Sequence, residues 1–143
     1  MQSNKKISDV MSDEIVCLSE KASIQECAQK MRDKDIGAVP VVDANDRFIG
    51  MVTDRDITIR VTAEGKDPAR TTCRDAMSSQ TFSCSPDASF EDAVHLMESK
   101  EVRRLAVCDD QNHVLGIVSL GDVASNSEGE LKRELLEHVA YSH

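Results

Sequence analysis

Two stretches of the chain carry apolar residues at helical spacing. Ile24, Cys27, Ala28 and Met31 recur at helical intervals behind Ser23, and Phe90, Ala93, Val94 and Met97 do the same behind Ser89. This pattern puts each set on one face of a helix of about three turns. Ser23-Ile24-Gln25-Glu26 reads as a capping box, and Ser89-Phe90-Glu91-Asp92 as a weaker version of it. Ala38 to Val42 is then a nearly continuous apolar run, as a strand covered on both faces requires. Asp43-Ala44-Asn45-Asp46 reads as a turn, and Arg47 to Val52 as a second strand. The corresponding strands later in the chain are Leu105 to Cys108 and Val114 to Val118, around Asp109-Asp110-Gln111-Asn112. A further helix starts after Thr53 and again after Ser119, and short extended pieces, Ile15 to Leu18 and Thr81 to Cys84, precede the first helices.

These parallels extend along the chain. At an offset of 66 the sequence matches itself without a gap: Asp9-Val10-Met11-Ser12 falls on Asp75-Ala76-Met77-Ser78, and Gly50-Met51-Val52-Thr53 on Gly116-Ile117-Val118-Ser119. Asp56 falls on Asp122, and Ile24 exchanges with Phe90 as one apolar residue for another. A repeated pattern of this kind decides the architecture before any local detail. The expected organisation is a repeat over 7–66, a second over 67–126 and a C-terminal helix or tail over 127–143. Polar residues 62–71, with Gly65 and Pro68, form the connector. The tail places Leu131, Leu135, Leu136 and Val139 on one stripe.

Composition narrows the function classes. The chain has 143 residues, 40% hydrophobic and 30% charged, which is a globular balance, and only 3% aromatic, so its core is aliphatic. A net charge of -9 repels phosphodiester backbones and anionic lipid, which argues against nucleic-acid and membrane partners. The five cysteines, Cys17, Cys27, Cys73, Cys84 and Cys108, have no CxxC spacing and read as free thiols in a reducing compartment. Met1 to Lys6 is polar with no apolar h-region behind it, and no stretch approaches a membrane span. A cytoplasmic location is the expectation. The four histidines and five cysteines show no metal-ligand spacing, and no nucleophile–base pair or phosphate-binding glycine loop is visible. The sequence therefore reads as no enzyme, with no catalytic residues, no metal and no required cofactor. Met11, Met31, Met77 and Met97 recur at equivalent positions and read as core.

The candidate chemistry lies where each second strand ends. Gly50-Met51-Val52-Thr53-Asp54-Arg55-Asp56 and Gly116-Ile117-Val118-Ser119-Leu120-Gly121-Asp122 share one form: Gly, two apolar residues, a hydroxyl residue, two variable positions, Asp. Thr53 and Ser119 suit an N-cap, with the aspartate in the first helical turn. The same groups suit a ligand, because a carboxylate accepts from both hydroxyls of a ribose and nearby arginines receive phosphate. Both readings stand on the residues alone.

The repeat, the two corners, the Ile36-Gly37-Ala38-Val39-Pro40-Val41-Val42-Asp43 run and the Val102-Arg103-Arg104-Leu105 run together resemble a tandem pair of cystathionine-beta-synthase (CBS) domains, a Bateman module, over residues 7 to about 125. The resemblance implies an α/β (α+β) fold of two pseudo-symmetric βαββα repeats packed through their sheets, with a cleft on each side. It implies a regulatory homodimer that senses an adenine nucleotide or adenosyl ligand (AMP, ADP, ATP, NAD or S-adenosylmethionine) and signals to an effector protein. By position, Asp56 and Asp122 would hold ribose. Thr53, Ser119, Arg103, Arg104, Arg55 and Arg60 would meet hydroxyl or phosphate. Backbone groups near Val16, Cys17, Leu18, Ala38, Phe82, Ser83, Cys84 and Leu105 would meet the adenine edge, with neighbouring apolar side chains on the ring faces. Two departures make the clefts unequal: Ala106 stands where the first repeat has Pro40, and Leu120-Gly121 where it has Asp54-Arg55. The alternative is a ligand-independent interaction dimer with vestigial clefts.

Overall fold

The computed structural model describes residues 5–12, 14–80 and 82–127, together with 129, 132–135 and 137. It contains small sheets and short helices, an α+β arrangement. The chain divides into two compact units that cut across the sequence repeats. One, the repeat-one unit, comprises Val16–Thr81 and Gln111–Val114. The other, the repeat-two unit, comprises Met1–Ile15, Phe82–Asp110 and Leu115–His143.

In the repeat-one unit, strand β1 (Leu18–Ser19) is followed by helix α1 (Ile24–Lys34), strands β2 (Ala38–Val42) and β3 (Phe48–Thr53), the short helix α2 (Asp54–Ile57), a π-turn (Thr58–Thr62) and helix α3 (Cys73–Ala76). The sheet order is β1-β2-β3, with β1 parallel to β2 and β2 antiparallel to β3. β1 starts later and is shorter than the extended piece the sequence predicts, because its parallel pairing reaches only Val41 and Val42. β2 is buried at all five positions, as its unbroken apolar run requires. Val39 and Val41 join Ile24, Cys27, Val52, Val61, Cys73 and Ala76 in one core.

Proline in this central strand has a specific licence. Pro40 lies opposite Met51, whose N–H and C=O both bond Ser78, at 3.1 and 3.0 Å. Pro40 and Met51 are therefore a non-hydrogen-bonded pair, and the missing proline N–H costs β3 no ladder bond. The β2–β3 turn is set by Asp43, whose Oδ1 accepts from the amides of Asn45 (2.8 Å) and Arg47 (3.0 Å).

The repeat-two unit opens with a 3₁₀ turn, Ile7–Asp9, and continues through helix α4 (Phe90–Lys100), strands β4 (Arg104–Cys108) and β5 (Val114–Ser119), which begins at the unit boundary, and helix α5 (Leu120–Ser125). Its core gathers Ile7, Phe90, Met97, Leu105, Val107, Val118, Val123 and Leu135. Residues 81–84 form no strand among the described residues; Cys84 makes a single parallel bridge to Val107. The tail adopts helical backbone at 129, 132–135 and 137, while Leu131, Leu136 and Val139 lie outside the described residues.

The leading segments of the repeats take equivalent places. Ser12 bridges Ile117 in one unit, and Ser78 bridges Met51 in the other. Glycine makes both approaches possible: a Cβ at Gly116 would lie 2.4 Å from the Ser12 carbonyl oxygen, and one at Gly50 2.8 Å from that of Ser78. Both long helices start as expected, with Ser23 accepting from the Glu26 amide and Ser89 from that of Asp92, each at 3.1 Å. Reciprocal capping boxes occur instead at Thr53–Asp56, Thr72–Asp75 and Ser119–Asp122. The sequence reading missed α3, because Thr72-Cys73-Arg74-Asp75 is a cap with no apolar run behind it.

Candidate functional site

Each corner forms where a strand turns into a short helix. In the repeat-one unit, Thr53 is extended (φ -107°, ψ 164°) and caps α2. Its Oγ1 accepts from the Asp56 amide at 3.1 Å, and Asp56 Oδ2 accepts from the Thr53 amide at 2.9 Å. The repeat-two corner copies this: Ser119 Oγ accepts from the Asp122 amide at 3.0 Å, and Asp122 Oδ2 from the Ser119 amide at 3.1 Å. One oxygen of each aspartate is thus committed to the fold, at a value of about 1 kcal/mol per cap.

The second oxygen distinguishes the corners. Asp56 is buried, and its Oδ1 faces Arg60 Nε at 3.9 Å; the Arg60 guanidinium also donates to the Met77 carbonyl at 3.0 Å. Asp122 is exposed.

A backbone bond fixes what stands beside each corner. The Leu120 amide donates to the Arg103 carbonyl at 2.8 Å, as the Asp54 amide donates to that of Gly37 at 3.0 Å. In the repeat-two unit this holds the start of β4, with two arginines, against the start of α5. Arg103, Arg104, Ser119, Leu120 and Gly121 line a hollow of about 180 Å³. A Cβ added at Gly121 would meet only Ser119 Oγ, at an ordinary 3.7 Å. In the repeat-one unit, Gly37 and Ala38 occupy the positions of the arginines, and Asp54 and Arg55 those of Leu120 and Gly121.

Of the residues the resemblance assigned, the structure brings Arg103, Arg104 and Ser119 together around this hollow, with Asp122 tied to Ser119 by the cap. Arg60 is tied to Asp56, and Arg55 is exposed on α2. Ala38 lies opposite Thr53 in the β2–β3 register. Val16, Cys17 and Leu18 are half-buried, as are Phe82 and Ser83. Leu105 and Cys84 point into their unit's core, leaving only backbone to meet a ligand. Leu120 and Gly121 were not singled out as lining residues. The sequence showed a lost charged pair there, whereas the structure places both residues on the wall of the hollow.

Three of the thiols, Cys27, Cys84 and Cys108, are held protonated and are poor nucleophiles, whereas the hydrogen bond with Cys27 lowers Cys73. Burial pushes Cys84 up to about 11 and also raises Cys108. Cys27 is raised too, chiefly by a hydrogen bond with Cys73 and then by burial. Among the described residues no three His, Cys, Asp or Glu side chains gather as a metal site, and no helix is long and apolar enough to cross a membrane.

The CBS domain family model matches residues 7–62 and 73–129. The CBS domain-containing protein YhcV of Bacillus subtilis is 42% identical over 120 residues, covering 84% of each chain. The crystal structure of Hypoxic Response Protein I with two coordinated zinc ions superposes with a TM-score of 0.78 at 33% identity, over 87% of this chain and 100% of that one. The CBS domain pair of protein MJ0100, solved with 5′-methylthioadenosine and S-adenosylmethionine, shares the fold: TM-score 0.77, 23% identity, 86% and 95% covered. Two matched copies in one chain, on a shared fold and with the corner motif in each, make this protein a member of the CBS domain family.

Proposed function

We propose that this chain is a regulatory CBS pair, without turnover of its own, that senses an adenine nucleotide or adenosyl ligand and reports it to an effector protein as a cytoplasmic homodimer. The observation that carries this reading is the hollow at the repeat-two corner, where Arg103, Arg104 and Ser119 converge beside the exposed carboxylate of Asp122. The adenosyl ligands held by the MJ0100 pair support the ligand class. A sensor of this kind works only if the ligand prefers one of two states, since equal affinity for both shifts nothing.

Thermal-shift titration with AMP, ADP, ATP, NAD and S-adenosylmethionine tests the proposal. A ligand at about a hundred times its Kd adds about 2.7 kcal/mol of stability. The Asp122→Asn variant keeps an oxygen to accept from the Ser119 amide but loses the charge that favours a ribose diol. Losing the charge at the start of α5 should cost about 0.3–1 kcal/mol when unliganded, and most of the ligand-induced gain should vanish. A wild type that none of the five stabilises would refute the reading.

One observation favours the second reading, an interaction dimer that needs no ligand. The corner hydroxyls and aspartates already satisfy each other as capping boxes. That reading predicts the same melting temperature with and without every nucleotide.

A further inference from the structure

We propose that Cys27 and Cys73 are a dithiol site for oxidative modification: hydrogen peroxide closes them into a disulfide that staples α3 to α1 within the repeat-one unit.

The backbone brings the two residues together. Ser23 caps α1 and Thr72 caps α3, and the two caps form an antiparallel bridge. The Ile24 amide donates to the Thr71 carbonyl and the Cys73 amide to that of Ala22, both at 2.8 Å. The helix starts are thus clamped side by side, with Cys73 opening α3 and Cys27 one turn into α1. Both side chains are fully buried in one core, where they share a thiol–thiol hydrogen bond.

Packing alone does not ask for this pair. The repeat-two unit builds the same clamp, with Lys6 bridging Ser89 and the Ile7 amide donating to the Ala88 carbonyl at 2.9 Å. At the offset of 66 it carries Ile7 and Ala93 where the repeat-one unit has Cys73 and Cys27, both fully buried in its core. An aliphatic pair fills this place, and a dithiol adds the capacity to be oxidised.

The hydrogen bond also sets the roles. It lowers Cys73, favouring its thiolate, and raises Cys27, which burial raises further. Helix α3 has four residues and follows connector residues 62–70, which are exposed. Opening it locally costs less than opening the core strands, and lets peroxide reach Cys73. The Cys73 thiolate attacks a peroxide oxygen; the O–O bond breaks, hydroxide leaves and takes up the proton that Cys73 released, and Cys73 becomes a sulfenic acid. The Cys27 sulfur then attacks the Cys73 sulfur, the S–O bond breaks, and the Cys27 proton leaves with the hydroxide as water. Two thiols lose two electrons and two protons to one peroxide, which becomes two waters.

The crosslink reaches further through α3. The Met77 amide donates to the Cys73 carbonyl at 2.8 Å, and the Met77 carbonyl accepts from Arg60, which faces Asp56. Stapling Cys73 therefore fixes the segment that holds Arg60.

Peroxide treatment of the reduced full chain tests this, followed by alkylation and peptide mass spectrometry without reduction. The main product should be a Cys27–Cys73 crosslink within one chain. Closing the loop from residue 27 to residue 73 should raise Tm by roughly 5–15 °C, a gain that dithiothreitol reverses. Hydrogen exchange at the Met77 amide should slow by roughly tenfold or more. Cys27→Ala, which copies the residue at this place in the repeat-two unit, should fold and show no Tm gain with peroxide. A chain whose Cys27 and Cys73 stay reduced, a Cys84–Cys108 or intermolecular disulfide formed instead, a crosslink that lowers Tm or leaves Tm or Met77 exchange unchanged, or a gain that survives Cys27→Ala would each overturn the inference.

Discussion

Gly116→Ala tests how the leading segment is held. The added Cβ would lie 2.4 Å from the Ser12 carbonyl oxygen and 3.1 Å from Met11 Sδ. The methionine has rotatable bonds and yields, but the carbonyl is backbone. Ser12 must therefore retreat by about 1 Å to restore an ordinary C···O contact of about 3.3 Å. The retreat breaks the bridge between Ser12 and Ile117, two backbone bonds of 2.9 and 3.2 Å, each contributing about 0.5–1.5 kcal/mol. If the segment leaves altogether, Ile7, fully buried in the core, is exposed as well, at about 1.5–3 kcal/mol. Alanine restricts the unfolded chain and returns about 0.4–1 kcal/mol. The net expectation is a loss of about 2 kcal/mol, or roughly 4–8 °C in Tm for a chain of this size. Urea unfolding followed by circular dichroism measures it. Hydrogen exchange should also show the Ile117 amide losing protection. Gly121→Ala is the matched control: its Cβ meets only Ser119 Oγ at 3.7 Å, so helix propensity predicts a gain of about 0.5–1 kcal/mol. A Gly116→Ala midpoint at or above wild type, or both alanines shifting it equally, would refute the packing argument.

Other consequences concern single residues. Glu101 ends α4 in the left-handed region (φ 56°, ψ 41°), so Glu101→Gly should stabilise by about 1 kcal/mol; an unchanged or lower Tm would contradict this. Burial holds Cys84 at about 11, so iodoacetamide at pH 8 should modify it at least a hundredfold more slowly in the folded chain than in urea, read by peptide mass spectrometry. Equal rates would show that the thiol is open. The amides of Arg47 and Asn45 hold Asp43 below its ordinary value of 3.8. The stability this contributes is therefore complete above that value and is lost as pH falls through it towards the lower folded-state value. Urea midpoints should fall less steeply below pH 4 in Asp43→Ala than in wild type, and identical slopes would remove Asp43 from the account.

The sequence made the repeat legible because equivalent positions do equivalent work. Gly50 and Gly116 each admit a leading segment, Thr53 and Ser119 each cap a helix, and the α1 and α4 stripes each face a core. Periodicity could not show that the segment around Ile7 belongs to the repeat-two unit, because that depends on a contact made far along the chain. Nor could it separate cap from ligand site at Asp56 and Asp122, since both uses require the same hydroxyl and acid. The arginines at 103 and 104 were visible as charge, but their convergence on Ser119 depends on the bond from Leu120 to the Arg103 carbonyl. The tail stripe was legible in part: Leu135 is buried in the repeat-two core. Truncation at residue 127 would therefore damage that core.

A crystal grown with ATP locates the ligand outright. Phosphate oxygens within hydrogen-bonding distance of the Arg103 and Arg104 guanidinium groups, with ribose hydroxyls on Asp122, are what this account predicts. A triphosphate seated beside Asp54 and Asp56, or a nucleotide bound out of reach of both arginines, would contradict it.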